Sequence, residues 1–202
     1  GYRFRGHSLT DAQGRYTLEQ RMMLEARLVP EGGSAETPPH GLPAFGGTTR
    51  WFALNDVVLH KGGFARVVRL HVAVDGEDIA TYAADGIVIA TPTGSTAYSL
   101  SAGGPVVVPT VESILLTAIS AHTLAIRPLV LPPTAEVRVR AEDGPDELLV
   151  TVDGQVGTTF RAGATLVLRR ARPVRIVRLA GDTFFARLRR KLGWGGLAER
   201  DS

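Results

Sequence analysis

The sequence predicts a mainly β fold, sandwich-like, closed by one C-terminal α-helix. Three observations carry this. About ten short apolar segments recur with strand character, the density expected of a sandwich or multi-sheet domain. Turn formers separate them, with 23 Gly and 12 Pro in 202 residues. No alternation of strands with long helical periods appears, so no complete doubly wound α/β domain is expected.

The elements follow in order. From Arg21 the apolar Met22, Leu24, Ala26 and Leu28 alternate with Met23, Glu25 and Arg27, a period of two that predicts a strand over 16–29. Pro30 to Gly47 holds Gly-Gly, Pro-Pro and Gly-Gly pairs and reads as a long loop. Strands are predicted over 49–60 and 65–74. Asp75-Gly76 is a hairpin signal, and 78–83 returns from it. Gly86 to Ala90 is continuously apolar, as for a strand buried on both faces. Further strands are predicted over 113–120, 136–140, 147–152, 164–169 and 174–179. Last comes a helix that Asp182 can cap, with Phe184, Phe185, Leu188 and Leu192 on one face and Gly193 as its stop. Its other face carries Arg187, Arg190 and Lys191. That face is either simply solvated, or the counterpart of an apolar side that packs on a domain outside these residues.

Composition excludes several chemistries. With no cysteine, disulfides, thiolate catalysis and Cys-ligated metals are out. The five His are scattered at 7, 40, 60, 71 and 122, without metal-ligand spacing. A net charge of +3 gives no argument for a nucleic-acid partner. No apolar run approaches the ~20 residues that span a bilayer, and no apolar core of a signal peptide follows Gly1-Tyr2-Arg3-Phe4-Arg5. A cytoplasmic protein without membrane contact is expected.

The most informative stretch is Asp85-Gly86, the strand to Ala90, and Thr91-Pro92-Thr93-Gly94-Ser95-Thr96-Ala97-Tyr98-Ser99-Leu100-Ser101-Ala102-Gly103-Gly104. A buried strand ends in four hydroxyls within six residues, with Gly94 opening backbone geometry that a Cβ forbids. Ser95 or Thr96 can cap a short helix running to about Ala102. Free N–H groups there suit phosphate or ribose oxygens, with Tyr98 beside a base. A tight strand-to-helix connection without ligand explains the same composition. The stretch matches neither Gly-x-Ser-x-Gly nor a Walker A motif.

Asn55-Asp56 interrupts an apolar strand. Buried polar side chains need partners, so the pair marks a bulge or edge, or supplies ribose-hydroxyl ligands, an amide giving donor and acceptor and a carboxylate accepting twice. Asp153-Gly154-Gln155 taken alone is a turn. Arg127-Pro128 is an ordinary candidate for a structural ion pair.

Together, and in this order, these pieces resemble the NAD kinase family from about Tyr16 to Trp194. The landmarks are Glu19 to Glu25, Ala53-Leu54-Asn55-Asp56, Asp85-Gly86, Thr91 to Tyr98, Ser101 to Pro105, His122-Thr123-Leu124, Arg127 to Val130, Asp153-Gly154-Gln155 and Lys191 to Trp194. The run Thr-Pro-Thr-Gly-Ser-Thr-Ala-Tyr is the specific one. The resemblance implies the C-terminal β domain of the NAD kinase/diacylglycerol kinase-like fold. It implies a two-domain phosphotransferase that phosphorylates the adenosine-ribose 2′-hydroxyl of NAD to give NADP. ATP, or in some members polyphosphate, is the donor, with a divalent cation, usually Mg2+. Family members are homodimers or homotetramers in which a neighbouring subunit helps complete each NAD site.

Residue by residue, the resemblance implies NAD contacts from Asn55 and Asp56 to ribose hydroxyls, Asp56 standing where the family more often has the longer Glu. It implies Asp85 at the nicotinamide end, Thr96, Ala97, Tyr98 and Ser101 around adenine and ribose, a polar contact from Gln155, and a ligand contact from Arg66. Ala83 replaces a basic residue of some relatives, so a phosphate contact there is not expected. The family's Gly-Gly-Asp-Gly motif, whose Asp is the proposed base, does not occur in these 202 residues. No catalytic residue is therefore expected in this chain, which reads as an NAD-binding fragment inactive alone. The expected division is a connection over 1–15, an NAD-binding β domain over 16–180, and a helix and tail over 181–202 that pack on the domain bearing that motif. The alternatives are the C-terminal domain of a diacylglycerol- or sphingosine-type lipid kinase, and a non-catalytic oligomerisation domain.

Overall fold

The computed structural model describes residues 16–29, 49–61, 67–122, 125–143, 148–160, 163–179 and 183–194. The expected connection over 1–15, the loop over 30–47, Arg66, Thr123-Leu124 and Asp182 lie outside them. The chain divides into a larger unit, Met22–Pro173, and a smaller one, Gly1–Arg21 with Val174–Ser202.

Among the described residues twelve strands are present: β1 Tyr16–Val29, β2 Arg50–Ala53, β3 Asp56–Lys61, β4 Val68–Val74, β5 Glu77–Ala84, β6 Gly86–Ala90, β7 Ile114–Ile119, β8 Leu129–Leu131, β9 Val137–Asp143, β10 Leu148–Val152, β11 Val156–Phe160 and β12 Thr165–Leu179. They form two six-stranded sheets, ordered β2-β1-β12-β9-β4-β5 and β11-β10-β3-β6-β7-β8. The mainly β expectation holds. Among the described residues no helix is long and apolar enough to cross a membrane.

In the larger unit the period-two pattern decides which side chain goes where. Met22, Leu24 and Ala26 of β1 join Leu70 and Val72 of β4, Val57 and Leu59 of β3, Ile87 and Ile89 of β6, and Ile114 and Leu116 of β7 in one core. The alternate residues Val58, Val88, Ala90 and Leu115 form a second, smaller cluster with Ala102 and Val107 on the opposite face. The second sheet is therefore buried on both faces at its centre, and β6 has no exposed residue, as its unbroken apolar run requires. At roughly 1.5–3 kcal/mol per fully buried Leu, Ile or Val side chain, this double burial is a main source of stability.

Three boundaries differ from expectation. The strand predicted over 49–60 is broken between Ala53 and Asp56, for a reason seen in the site. The strands predicted over 164–169 and 174–179 are one, β12; Pro173 lacks an N–H but tolerates extended backbone, and the β9 pairing covers only 165–168. Strands β8 and β11 were not anticipated. The Asp75-Gly76 hairpin is as expected, with φ of 53° and 86° and Val74 paired to Glu77.

In the smaller unit, helix α2 spans Phe184–Leu192. Its N-cap is Thr183, whose hydroxyl accepts the Ala186 N–H. Gly193 ends it at φ 66°, the left-handed stop expected. Leu188 is buried, whereas Phe185 on the same face is 62% exposed. Glu19 is paired with Arg21 and with Arg178, the latter at 3.1 Å. Burial raises the Glu19 pKa, but these two guanidiniums outweigh it and hold the pKa below the usual 4.5.

Candidate functional site

Three segments of the larger unit converge on Asn55. The first is the break between β2 and β3. Here three successive N–H groups leave the strand ladder and donate to one carboxylate: Leu54 to Asp153 Oδ2 at 2.9 Å, Asn55 to Oδ1 at 2.7 Å, and Asp56 to Oδ1 at 3.1 Å. This explains the broken strand, since those donors are satisfied by a side chain instead of a neighbouring strand.

The second segment is the three-residue tip of the β10–β11 hairpin. Asp153 and Gly154 adopt φ of 51° and 66°, and Val152 pairs with Val156 across them. The Asp153 N–H also donates to the Asp56 carbonyl at 2.9 Å.

The third segment follows β6. Thr91 is fully buried; its hydroxyl donates to the Leu54 carbonyl at 2.6 Å and accepts the Gly94 N–H at 3.1 Å, while its own N–H donates to the Asn55 carbonyl at 2.8 Å. A Cβ on Gly94 would lie 2.0 Å from the Asn55 carbonyl oxygen, so only glycine lets the two backbones meet. Ser95, also buried, donates to the Pro92 carbonyl at 2.7 Å and accepts the Val107 N–H at 3.1 Å. Neither Ser95 nor Thr96 caps a helix. A 3-10 turn covers Gly94–Thr96, and α1, Tyr98–Ser101, has Ala97 as an N-cap without a side-chain bond.

The donor at the start of α1 is met from another segment: the Tyr98 N–H donates to the Asp56 carboxylate. Asp56 is 4% exposed. Burial first, then the nearby Asp153 carboxylate, pushes its pKa above the ordinary 3.8, and the Tyr98 bond offsets part of this. Asn55 beside it is half-buried and Tyr98 is 45% exposed.

The predicted residues therefore divide. Asn55, Asp56, Thr96, Ala97 and Tyr98 come together, and Gln155 stands at the exposed hairpin tip two residues from Asp153. Ser101 is exposed at the far end of α1. Asp85 does not join them. It precedes β6, about 20 Å from Thr91 by strand length, and pairs with Lys61 at 2.7 Å. Arg66 lies outside the described residues. Asp85 donates its N–H to the Ile119 carbonyl, which places it beside a cleft of about 370 Å3 lined by Ala102, Gly103, Thr117, Ser120 and Arg127.

Sequence reasoning missed the parts of Asp153, Thr91, Ser95 and Lys61. Only Asp153 carried a local signal, as an Asp-Gly pair tolerant of positive φ. Among the described residues no three His, Asp or Glu side chains converge as a metal site. The Asp153 carboxylate near Asp56 is engaged by backbone N–H groups.

The comparisons with known proteins agree with one another. Residues 54–179 match the ATP-NAD kinase C-terminal domain family. The chain is 62% identical over 191 residues to an NAD kinase of Gemmatimonas aurantiaca, covering 94% of this chain and 62% of that protein. It is 43% identical to an NAD kinase of Moorella thermoacetica, covering 93% of this chain and 56% of the relative. The chain thus spans less than two thirds of the length of these relatives. Among solved structures, yeast NADH kinase complexed with NADH superposes with a TM-score of 0.78 at 29% identity, over 91% of this chain and 51% of that one. An NAD kinase from Archaeoglobus fulgidus in complex with ATP shares the fold at a TM-score of 0.66 and 24% identity, over 87% of this chain and 60% of that one.

Proposed function

This chain belongs to the ATP-NAD kinase C-terminal domain family, and from that premise we propose that it binds NAD and presents the adenosine-ribose 2′-hydroxyl for phosphorylation to NADP. The observation that carries the proposal is the clamp on Asn55. Its backbone is pinned by Asp153 on one side and by Thr91 and Gly94 on the other. Phosphoryl transfer depends above all on positioning the acceptor, and an asparagine on a pinned backbone suits that task.

In this reading Asn55 and Asp56 hold ribose hydroxyls, Thr96, Ala97, Tyr98 and Ser101 line the adenosine pocket, and Gln155 adds a polar contact. Asp56 accepts the Tyr98 N–H with its carboxylate, so its shorter side chain serves the sugar only with remaining acceptor capacity. Asp85, far from Asn55, serves the nicotinamide end in the cleft by Ser120, and a neighbouring copy in a homodimer or homotetramer helps complete each site. The donor is ATP or polyphosphate, and the proton-accepting Asp and the divalent cation are assigned to the part of the kinase that carries Gly-Gly-Asp-Gly. The division into a β domain over 16–180 and a helix and tail over 181–202 packing on that part belongs to the same proposal, as does a cytoplasmic location. The relatives' names favour this over a lipid kinase.

Titration calorimetry with NAD tests it. Saturable binding is expected, weakened in Asn55→Ala by about 1–3 kcal/mol, the cost of a lost buried hydrogen bond. Saturating NAD that neither releases heat nor raises the melting temperature rejects the proposal, since any ligand of the native state must stabilise it.

A further inference from the structure

We propose that Asp153 is a positioning residue of the binding site, which sets the backbone of Asn55 and Asp56 without itself touching ligand. The inference rests on the reading of this site as the NAD site and assigns a cause to its geometry.

A carboxylate that accepts three consecutive backbone N–H groups fixes the path of that backbone in a way no apolar contact does. Leu54, Asn55 and Asp56 donate at 2.9, 2.7 and 3.1 Å. Hydrogen bonds to an ionised acceptor are the stronger kind. The return bond, from the Asp153 N–H to the Asp56 carbonyl, closes the link from the other direction. One acid on a hairpin thus fixes the backbone from which the Asn55 side chain projects.

The fold supplies its own control. Asp75 occupies a second Asp-Gly hairpin with nearly the same φ, 53° against 51°. Its carboxylate accepts the Glu136 N–H at 2.8 Å, and its N–H donates to the Glu136 carbonyl at 3.0 Å. The local chemistry is the same, but Asp75 binds the start of β9 and not the turn bearing Asn55. Loss of either Asp removes a hairpin-to-backbone anchor; only loss of Asp153 frees Asn55.

The experiment compares the parent chain with Asp153→Ala, Asp153→Asn and Asp75→Ala, by amide hydrogen exchange and by calorimetry with NAD. In Asp153→Ala, exchange at Leu54, Asn55 and Asp56 is expected to rise about tenfold or more, with amides of β4 and β9 unchanged. NAD affinity is expected to fall about ten- to hundredfold. Asp153→Asn keeps an oxygen for Asn55 and Asp56 but turns an NH2 toward Leu54, so it should rescue part of the affinity and remains informative if the alanine variant does not fold. Asp75→Ala should lower the melting temperature while binding NAD as the parent does. Unchanged exchange at 54–56 overturns the proposal, and so does faster exchange with parental affinity, which would make the anchor purely structural. A parent chain that binds no NAD is a different result; it refutes the reading of the site and takes the proposal with it.

Discussion

Replacing Thr91 by Val separates hydrogen bonding from packing at the base of the site. Valine keeps the shape and volume of threonine and exchanges only the hydroxyl for a methyl. Thr91 is fully buried, so the exchange exposes nothing. What it removes is the donor to the Leu54 carbonyl at 2.6 Å and the acceptor of the Gly94 N–H at 3.1 Å. Each orphaned buried group costs about 1–3 kcal/mol. Leu54 is half-buried and part of its carbonyl rehydrates, whereas Gly94 is buried. The sum is about 2–4 kcal/mol. Thr91→Ser does the reverse, keeping both bonds and losing one buried methyl, at about 1 kcal/mol. The expected order of stability is parent, then Ser, then Val. Urea unfolding followed by the fluorescence of Trp51, which is buried in the core, measures both midpoints. If apolar burial governed this position the order of the two variants would invert. A valine variant as stable as the serine one refutes the reasoning.

Three further substitutions extend these tests. Gly94→Ala places a methyl 2.0 Å from the Asn55 carbonyl oxygen and 2.4 Å from its carbon; backbone cannot yield as a side chain does, so a cost of about 3 kcal/mol in urea unfolding is expected, with loss of NAD binding. Gly76→Ala, whose Cβ meets nothing within 4 Å, should cost only the left-handed strain of φ 86°, about 1 kcal/mol. Asp56→Asn should raise the melting temperature at pH 7. An acid whose native pKa lies above its unfolded value binds more protons when folded, so stability falls as pH rises from the ordinary 3.8 through the raised native value, and the penalty persists above it. Asparagine removes that penalty, so its advantage should vanish as pH is lowered toward 3.8. Glu25 runs the other way. Burial raises its pKa, but Arg50 and Arg27 outweigh that and hold it below 4.5, so its stability is lost as pH falls below that value. The test must therefore be the difference between variant and parent at each pH, and an advantage independent of pH would sink it.

The fold was legible where one physical rule decided it. Met22, Leu24, Ala26 and Leu28 alternate because one face of β1 enters the core, and the unbroken run of β6 is apolar because both of its faces are covered. Asp75-Gly76 needs positive φ twice, and few residue pairs accept that. The failures have an equally specific origin. Strand β8 is three residues long, too short for any period to show. The break after Ala53 is imposed by a carboxylate 97 to 99 residues away, and no local pattern at Leu54 announces it.

The same asymmetry bears on the hydroxyl-rich run after β6, whose composition suits a ligand site and a tight connection alike. Of its four hydroxyls, those of Thr91 and Ser95 are fully buried and bond to backbone groups of Leu54, Gly94, Pro92 and Val107. Their small size lets three segments approach, and their polarity satisfies the groups that the approach buries. Such residues are needed to build a concave site whether or not they touch what binds in it. In the proposed reading, contact with a ligand then falls to side chains left accessible on the built surface, such as Asn55 and Tyr98. A hydroxyl-rich segment following a doubly buried strand therefore argues first for a tightly made turn, and it argues for a ligand only through the exposed residues that the turn holds in place.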